Sequence, residues 1–235
     1  MKRVKLVVAY DGTNYCGWQV QKNGETIESV LNRAIGELTG EEIHVMGSSR
    51  TDAGVHACGN VAVFDTEARM AADKFSYALN QRLPEDIRIQ DSCEVPADFH
   101  PRFQKTVKTY EYRILNREFP LPAYRFNSHF TYRKLDGERM RQAAAYLIGE
   151  HDFQSFCAAG AQVKTTVRTI YALDVEKQGD LIILRITGNG FLYNMVRIIA
   201  GTLMKIGQGD WEPERIPEIL AGCDRQLAGP TAPAR

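Results

Sequence analysis

The chain has 235 residues, which is enough for one large domain or two small ones, each with its own apolar core. Its composition, 44% hydrophobic and 25% charged without a low-complexity tract, is typical of a folded protein and excludes the disordered and fibrous classes. The formal net charge is +0, so any site for a polyanion must depend on local basic clusters.

The cysteine pattern and the apolar runs predict the cellular compartment of the protein. The five cysteines are odd in number and widely spaced, without a C-x-x-C pair or a histidine at metal-ligand spacing, which fits a reducing compartment. Lys5 and Asp11 interrupt the first apolar run before a signal segment could form. The longest apolar segment, 191–206, contains Arg197 and Lys205 and is therefore not a membrane span. We expect a soluble cytoplasmic protein with no bound metal.

In the first half, apolar patterning predicts the element order strand, helix, strand, strand, helix, strand. The first helix gives the clearest signal, because apolar residues recur at helical spacing from Ile27 to Leu38, Thr26 can cap its start and Gly40 can end it. The predicted strands cover 4–10, 43–46, 60–65 and 88–95, and the predicted helices cover 27–39 and 73–82. This order is the split βαβ pattern of ferredoxin-like and RNA-recognition-motif sheets.

A second copy of the pattern follows. Its predicted strands cover 107–115, 170–176 and 181–187, and its predicted helices cover 137–148, a segment from Phe191 onward, and 211–221. Asp136 and Asn189 are placed to cap two of these helices. This copy lacks its last strand, so either the chain is shortened or this half does without that strand.

Periodic apolar residues give way to Pro101 and basic residues between His100 and Thr106, as at a domain boundary. We therefore predict an N-terminal α/β domain over 1–103 and a C-terminal α/β domain over 104–235. The predicted fold class is α/β in the sense of α+β, with two ferredoxin-like halves whose mixed, mainly antiparallel sheets are joined into one core flanked by helices.

The loop Gly47–Ala57 is the segment that most suggests chemistry. In an extended segment the side chains of Arg50 and Asp52 project from the same face, and a nearby cation favours the ionised carboxylate. Gly54 can adopt a positive φ and turn the chain where the strand ends. Asp52 is therefore a candidate nucleophile, although Asp-x-Gly triplets also mark ordinary turns.

Two side chains outside this loop suggest a pocket. Alternation along 107–114 puts Tyr110 on the inward face of its strand, either as a core tyrosine or as an aromatic platform under a base. Arg197 lies in an apolar helix, where a buried guanidinium must be paired with a carboxylate or extend to the surface. Asp52 is the carboxylate partner that would best explain a buried Arg197.

Other residues carry weaker signals. Local basic residues form two groups: Arg102, Lys105, Lys108 and Arg113, and the smaller group Lys164 and Arg168. His56 is either a proton carrier or a structural residue beside a turn. The run Gly188-Asn189-Gly190 lacks the third glycine of a dinucleotide fingerprint, so no nucleotide cofactor is expected. Tyr15 and Trp18 are either packing residues or an RNA-facing edge.

Five motifs together resemble the tRNA pseudouridine synthase A family. They occur in the family's order and span essentially the whole chain: Tyr10–Gln19, Ser49–Ala57, Lys108–Tyr112, His151–Phe153 and Phe191–Arg197. The resemblance implies a homodimer without a cofactor that isomerises uridine to pseudouridine at positions 38, 39 and 40 of the tRNA anticodon stem-loop.

The resemblance also implies a role for each candidate residue. Asp52 would be the nucleophile that attacks the flipped-out uridine, at C1′ of the ribose or at C6 of the base, and Arg197 would be its ion-pair partner. Arg50 would flip or position the nucleotide, and Tyr110 would stack on the uracil. Base flipping requires a closed pocket with a stacking side chain, and scattered Lys and Arg side chains supply phosphate contacts.

One departure from the family lies at the end of the chain. The family continues past the segment 229–234 with a Gly-Leu pair and a closing strand, and the leucine belongs to the uracil pocket, whereas this sequence stops at Arg235. A protein that truly ended here would lack one wall of the pocket, and a shortened sequence is the simpler interpretation.

Two alternatives come from other functional classes. A non-catalytic RNA-binding protein on the same fold is disfavoured by the presence of Asp52, Tyr110 and Arg197. A carboxylate-dependent hydrolase is disfavoured because no second acid lies near Asp52 in the sequence.

Overall fold

A computed structural model describes residues 1–104, 106–160 and 163–234. The chain divides into two units, Met1–Gln104 and Lys105–Arg235, each built on its own β-sheet and apolar core. No helix in the described ranges is long and apolar enough to cross a membrane.

The first unit is a four-stranded sheet with two helices. Its strands are β1 (Lys2–Tyr10), β2 (Met46–Gly47), β3 (Ala57–Thr66) and β4 (Ile87–Val95), and its helices are α1 (Ile27–Thr39) and α2 (Phe75–Asn80). The sheet order is β2-β3-β1-β4, and every neighbouring pair is antiparallel. The predicted split βαβ arrangement is confirmed for this half.

Helix α1 forms where the sequence predicts it. The side chains of Thr26 and Ser29 satisfy each other's backbone N–H groups, which closes the N-terminus as a capping box. Gly40 ends the helix in the left-handed conformation, with φ of 74°.

The predicted strand over 43–46 is wrong in its bounds: Ile43 and Val45 are buried, but only Met46 and Gly47 pair with β3.

The second unit is a five-stranded sheet with three helices. Its strands are β5 (Lys108–Asn116), β6 (His129–Thr131), β7 (Gly149–Asp152), β8 (Val167–Gln178) and β9 (Leu181–Gly188), and its helices are α3 (Gly137–Ala145), α4 (Met195–Gly207) and α5 (Arg215–Gly222). The order is β6-β5-β9-β8-β7; only the β5–β6 pair is parallel. The mixed, mainly antiparallel α/β class is thus confirmed.

Two details of this half correct the prediction. Helix α4 begins at Met195 rather than at Phe191, because Asn194 adopts the left-handed conformation just before it. Asn189 therefore caps no helix; its side chain accepts a hydrogen bond from the Thr169 N–H at 3.0 Å. By contrast, the predicted cap at Asp136 is confirmed, since its carboxylate accepts bonds from the first N–H groups of α3.

Candidate active site

The Asp52 loop connects the short strand β2 to β3 and turns sharply at the aspartate. The Val55 N–H donates to the Asp52 carbonyl at 3.2 Å, and Gly54 has a φ of 79°, the conformation that a type II turn requires at its third position. Asp52 is partly buried and Arg50 is exposed. The predicted use of Gly54 as a turn residue is confirmed.

The loop between β1 and α1 holds the Asp52 loop in place. The Trp18 N–H donates to the Thr51 carbonyl at 3.0 Å, and the Gly54 N–H donates to the Tyr15 carbonyl at 3.4 Å. The Tyr10 and Thr51 hydroxyl oxygens lie 2.8 Å apart. The motif Tyr10–Gln19 therefore supports the residues on both sides of Asp52.

Two glycines allow these loops to come this close. A Cβ at Gly12 would overlap the Val55 carbonyl oxygen, and a Cβ at Gly17 would lie 2.5 Å from the Thr51 carbonyl oxygen. Gly17 also has a φ of 87°, which disfavours any residue with a side chain. Tyr15 and Trp18 are buried, at 6% and 1% exposure, so they are packing residues rather than an exposed edge.

His56 joins the two loops at their other end. Its Nδ1 lies 3.2 Å from the Gly12 nitrogen and 3.0 Å from an Asp11 carboxylate oxygen. Neutral Nδ1 accepts from Gly12, whereas protonated Nδ1 donates to Asp11. Burial raises the pKa of Asp11, but hydrogen bonds from Thr13 and the charge and hydrogen bond of His56 outweigh it, so that pKa lies below its usual value. These contacts favour the structural interpretation of His56.

In the second unit, Tyr110 lies on the inward face of β5. It is partly buried, packs against the apolar core and meets the Phe191 ring edge-on, with 5.1 Å between ring centroids. Tyr112, two residues on, is 5% exposed and donates its hydroxyl to the Pro233 carbonyl at 2.9 Å. Burial raises the pKa of Tyr112, and the positive charge of Arg197 partly offsets that shift. The inward orientation predicted from alternation is confirmed.

Arg197 lies in the first turn of α4 and is partly rather than fully buried. Its Nε donates to the Ala232 carbonyl at 2.8 Å, and its Nη1 donates to the Asn194 side-chain oxygen at 2.9 Å. A cation is disfavoured at a helix N-terminus by about 0.3–1 kcal/mol, so helix stability alone does not explain an arginine here. The left-handed Asn194, with φ of 58°, places its side chain against this guanidinium.

The segment 228–233 lies along α4 and supplies the carbonyl that Arg197 uses. The Gly229 N–H donates to the Thr202 hydroxyl at 2.9 Å, and the Ala232 N–H donates to the Arg197 carbonyl at 3.0 Å. A side chain at Gly201 would overlap the Pro230 carbonyl oxygen. Sequence reasoning singled out 229–234 but missed its packing along α4, although Gly201 and Gly229 were a signal for close backbone approach.

The basic groups are largely engaged in local contacts. Arg102 donates its Nε to the Gly47 carbonyl at 2.9 Å, and Arg113 pairs with Glu111 at 2.7 Å. Arg168 donates to the Thr165 and Val167 carbonyls. Lys105 lies outside the described residues, and Lys164 is exposed. Arg102, Arg113 and Arg168 therefore have structural partners of their own.

The four residues singled out from the sequence divide between the two units. Arg50 and Asp52 share one loop of the first unit, and Tyr110 and Arg197 belong to β5 and α4 of the second. Within the described ranges no three His, Cys, Asp or Glu side chains are grouped as metal ligands would be.

Comparison with known proteins gives one consistent family. A family model described as tRNA pseudouridine synthase matches residues 6–104 and 143–235. Proteins named tRNA pseudouridine synthase A are 49% identical in Acetivibrio thermocellus and 50% identical in Brevibacillus brevis, each covering 100% of this chain and 96% of the relative. The protein of that name from Geotalea daltonii is 46% identical, covering 99% of this chain and 96% of the relative.

Proposed function

The chain belongs to the tRNA pseudouridine synthase family, whose members are isomerases that convert uridine to pseudouridine, and we propose that it acts on positions 38, 39 and 40 of the tRNA anticodon stem-loop. Asp52 is the nucleophile, Arg197 its ion-pair partner, Arg50 the residue that flips or positions the nucleotide, and Tyr110 the ring that stacks on uracil. The observation that carries this proposal is the tight turn at Asp52, which backbone hydrogen bonds from the loop between β1 and α1 hold on both sides.

The proposed reaction consumes no co-substrate, because substrate and product contain the same atoms. An Asp52 carboxylate oxygen bonds to C1′ of the ribose or to C6 of the base, and the C1′–N1 bond breaks. The uracil rotates in place, a C5–C1′ bond forms, the C5 proton leaves, N1 takes up a proton and the carboxylate is released. A fixed cation beside the carboxylate would hold it in place for attack.

The local contacts of Arg197 and Tyr110 support their proposed roles. Two hydrogen bonds orient the Arg197 guanidinium at a helix N-terminus, where a carboxylate partner would offset an otherwise unfavourable charge. Tyr110 is only partly buried, and its ring is fixed by Phe191, so it offers a preorganised surface for a base.

Tritium release tests the chemistry. tRNA carrying tritium at uridine C5 is incubated with the wild-type protein, with Asp52→Asn, and with Asp91→Asn, a control on an exposed aspartate of β4. We expect release from the wild type and the control and none from Asp52→Asn, because the amide cannot act as the nucleophile. Undiminished release by Asp52→Asn would overturn the nucleophile assignment; binding of tRNA without any release would favour the RNA-binding alternative.

The position in tRNA requires its own experiment. Anticodon stem-loops are made with a single tritiated uridine at position 38, 39 or 40, or at a loop position outside this set. Release confined to the first three supports the proposed substrate, and equal release from the fourth contradicts it while leaving pseudouridine formation intact.

We also propose that the active form is a homodimer in the cytoplasm. Two protomers with a net charge of zero can still align local basic patches along one RNA, because steering depends on local rather than total charge. Sedimentation of the purified protein tests the dimer: a monomer that retains full activity would contradict it.

A further inference from the structure

Asn60 is a polar residue on the inward face of β3. It lies in line with Ala62 and Phe64, which belong to the apolar core, and it is itself only 6% exposed. A buried amide at such a position is unfavourable unless its donors and acceptor are satisfied. Its partners therefore indicate what the residue is for.

The Asn60 amide binds the chain as it leaves the sheet toward Asp52. The ladder between β2 and β3 ends with the Ser48 N–H donating to the Val61 carbonyl at 2.7 Å. One residue on, Asn60 Oδ1 accepts from the Ser49 N–H at 3.3 Å, and Asn60 Nδ2 donates to the Ser49 carbonyl at 3.0 Å. The Ser48 hydroxyl adds a third bond to Oδ1, at 3.1 Å.

A side-chain amide carries the same donor and acceptor as a peptide group. The Asn60 side chain therefore makes the two backbone hydrogen bonds that a neighbouring strand would make to Ser49, one residue beyond the end of the β2–β3 ladder. This fixes the backbone of Ser49, and Arg50 follows immediately. The bonds described above from Tyr10, Trp18 and Tyr15 act on Thr51 and Gly54, later in the loop. Asn60 thus fixes the backbone at the point where the chain enters the Arg50–Asp52 segment.

We propose that Asn60 is a positioning residue for the Asp52 nucleophile, acting through the backbone of Ser49. The proposal rests on the proposed function, since it assigns Asn60 to the rate of the same reaction. Loss of the Ser49 bonds would misplace the Arg50–Asp52 segment relative to the uridine while leaving RNA-binding residues outside this loop unchanged. The rate of the chemical step should then fall without a matching loss of tRNA affinity.

The same unit contains a matched control at the opposite edge of its sheet. Asn80 Oδ1 accepts from the Ile89 N–H at 2.8 Å, and Asn80 Nδ2 donates to the Ile89 carbonyl at 2.8 Å. Asn80 therefore makes the same pair of backbone bonds as Asn60, but to β4 rather than to the loop. Asn→Asp at either site removes the same bond, the one that Nδ2 donates to a backbone carbonyl.

The experiment compares Asn60→Asp with Asn80→Asp, in which an oxygen replaces the donating NH₂ group. Single-turnover tritium release gives the chemical rate, filter binding gives the tRNA Kd, and thermal unfolding gives stability. We expect release by Asn60→Asp to be slower by about tenfold to about a hundredfold, with the Kd within about twofold of wild type. Asn80→Asp should keep the wild-type rate while losing a similar amount of stability.

The outcomes separate this assignment from the proposed function. No release from the wild type would overturn both. Normal wild-type release with equal rate losses at Asn60 and Asn80, or with none at Asn60, would overturn the positioning role alone. If Asn60→Asp does not fold, the milder pair Asn60→Ser and Asn80→Ser decides by the same criteria; failure of both Asn60 variants to fold would make Asn60 a core residue and reject the assignment.

Discussion

The Asp52 loop and the first turn of α4 hold their charged residues in different ways. In the loop, Asn60 and Trp18 bind the main chain of Ser49 and Thr51, and Tyr10 binds the Thr51 hydroxyl, so these bonds fix the chain that leads to Asp52. In α4, the bonds from Ala232 and Asn194 act on the Arg197 guanidinium itself. The contacts described in the loop act on the chain before Asp52, whereas those in α4 act on the side chain of Arg197.

This difference predicts which substitutions each region tolerates. Loop side chains outside the Arg50–Asp52 segment can change as long as the close backbone approach at Gly12 and Gly17 remains. At Arg197 the planar fork of donors is required, because two acceptors must be reached at once. Substitutions in each region test this contrast.

Arg197→Lys should cause the largest loss. An ammonium group cannot reproduce the geometry of Nε on Ala232 and Nη1 on Asn194, so kcat should fall by about a hundredfold to about a thousandfold. Arg139→Lys is the matched control, because Arg139 in α3 also donates Nε and Nη2 to two carbonyls, those of Ile206 and Trp211. Steady-state tritium release should separate the two, and equal losses would contradict the special role of Arg197.

Gly17→Ala should disturb the loop through its backbone. The new Cβ would lie 2.5 Å from the Thr51 carbonyl oxygen, and the alanine would have to adopt a positive φ. The clash and the strain together should lower the free energy of unfolding by about 2–3 kcal/mol. Gly40→Ala has a similar φ of 74° but open space around it, so it should cost only about 1 kcal/mol. Urea unfolding gives both values; equal losses would show that the contact with the Asp52 loop contributes nothing.

Asn194→Gly should lower activity without a large loss of stability. Glycine accepts the left-handed backbone at position 194, but the bond to Arg197 disappears, so kcat should fall by about tenfold. Cys223→Gly is the control, because Cys223 has a comparable φ of 48° and lies at the end of α5. A normal rate in Asn194→Gly would mean that the Ala232 carbonyl alone orients Arg197.

Local signals were sufficient to predict part of this structure. Thr26, Gly40 and Asp136 mark helix ends by their own side chains or conformations, and the structure confirms all three. The predicted start of α4 was wrong because the residues from Phe191 to Tyr193 are apolar, like the buried helix that follows them. The left-handed backbone of Asn194 separates these residues from the helix, and asparagine's tolerance of that conformation was the available signal.

The candidate site was less predictable because its supports are distant in sequence. Tyr10, at the end of β1, and Trp18, in the loop that follows, contact Thr51, and no local periodicity indicates such pairs. Asn60 could have been found, since it interrupts the inward apolar positions of its strand, and a buried amide indicates a specific partner. Strands β6 and β7 were missed because they are short and have no fully buried residue to set an alternating pattern.

The smallest expected effect comes from one ion-paired carboxylate in each unit, Asp65 and Glu111, at acid pH. Arg3 donates two hydrogen bonds to Asp65, which holds the pKa of that carboxyl below its usual value. For Glu111, burial raises the pKa, but hydrogen bonds from Arg113 and Arg185 outweigh it and the net shift is downward. Each carboxylate therefore contributes stability above its unfolded pKa of about 4, and the contribution is lost as the pH falls through the folded value.

Asp65→Asn and Glu111→Gln should each lower the free energy of unfolding by about 1 kcal/mol or less at about pH 6, with the difference from wild type shrinking toward about pH 3. Salt should distinguish the two. The Arg3 side chain is 16% exposed, whereas Arg113 and Arg185 are 43% and 41% exposed, so about 1 M salt should screen the Glu111 pairs more completely. Urea unfolding at both ionic strengths measures this, and an equal loss of both effects in salt would mean that burial of Arg3 does not protect its pair.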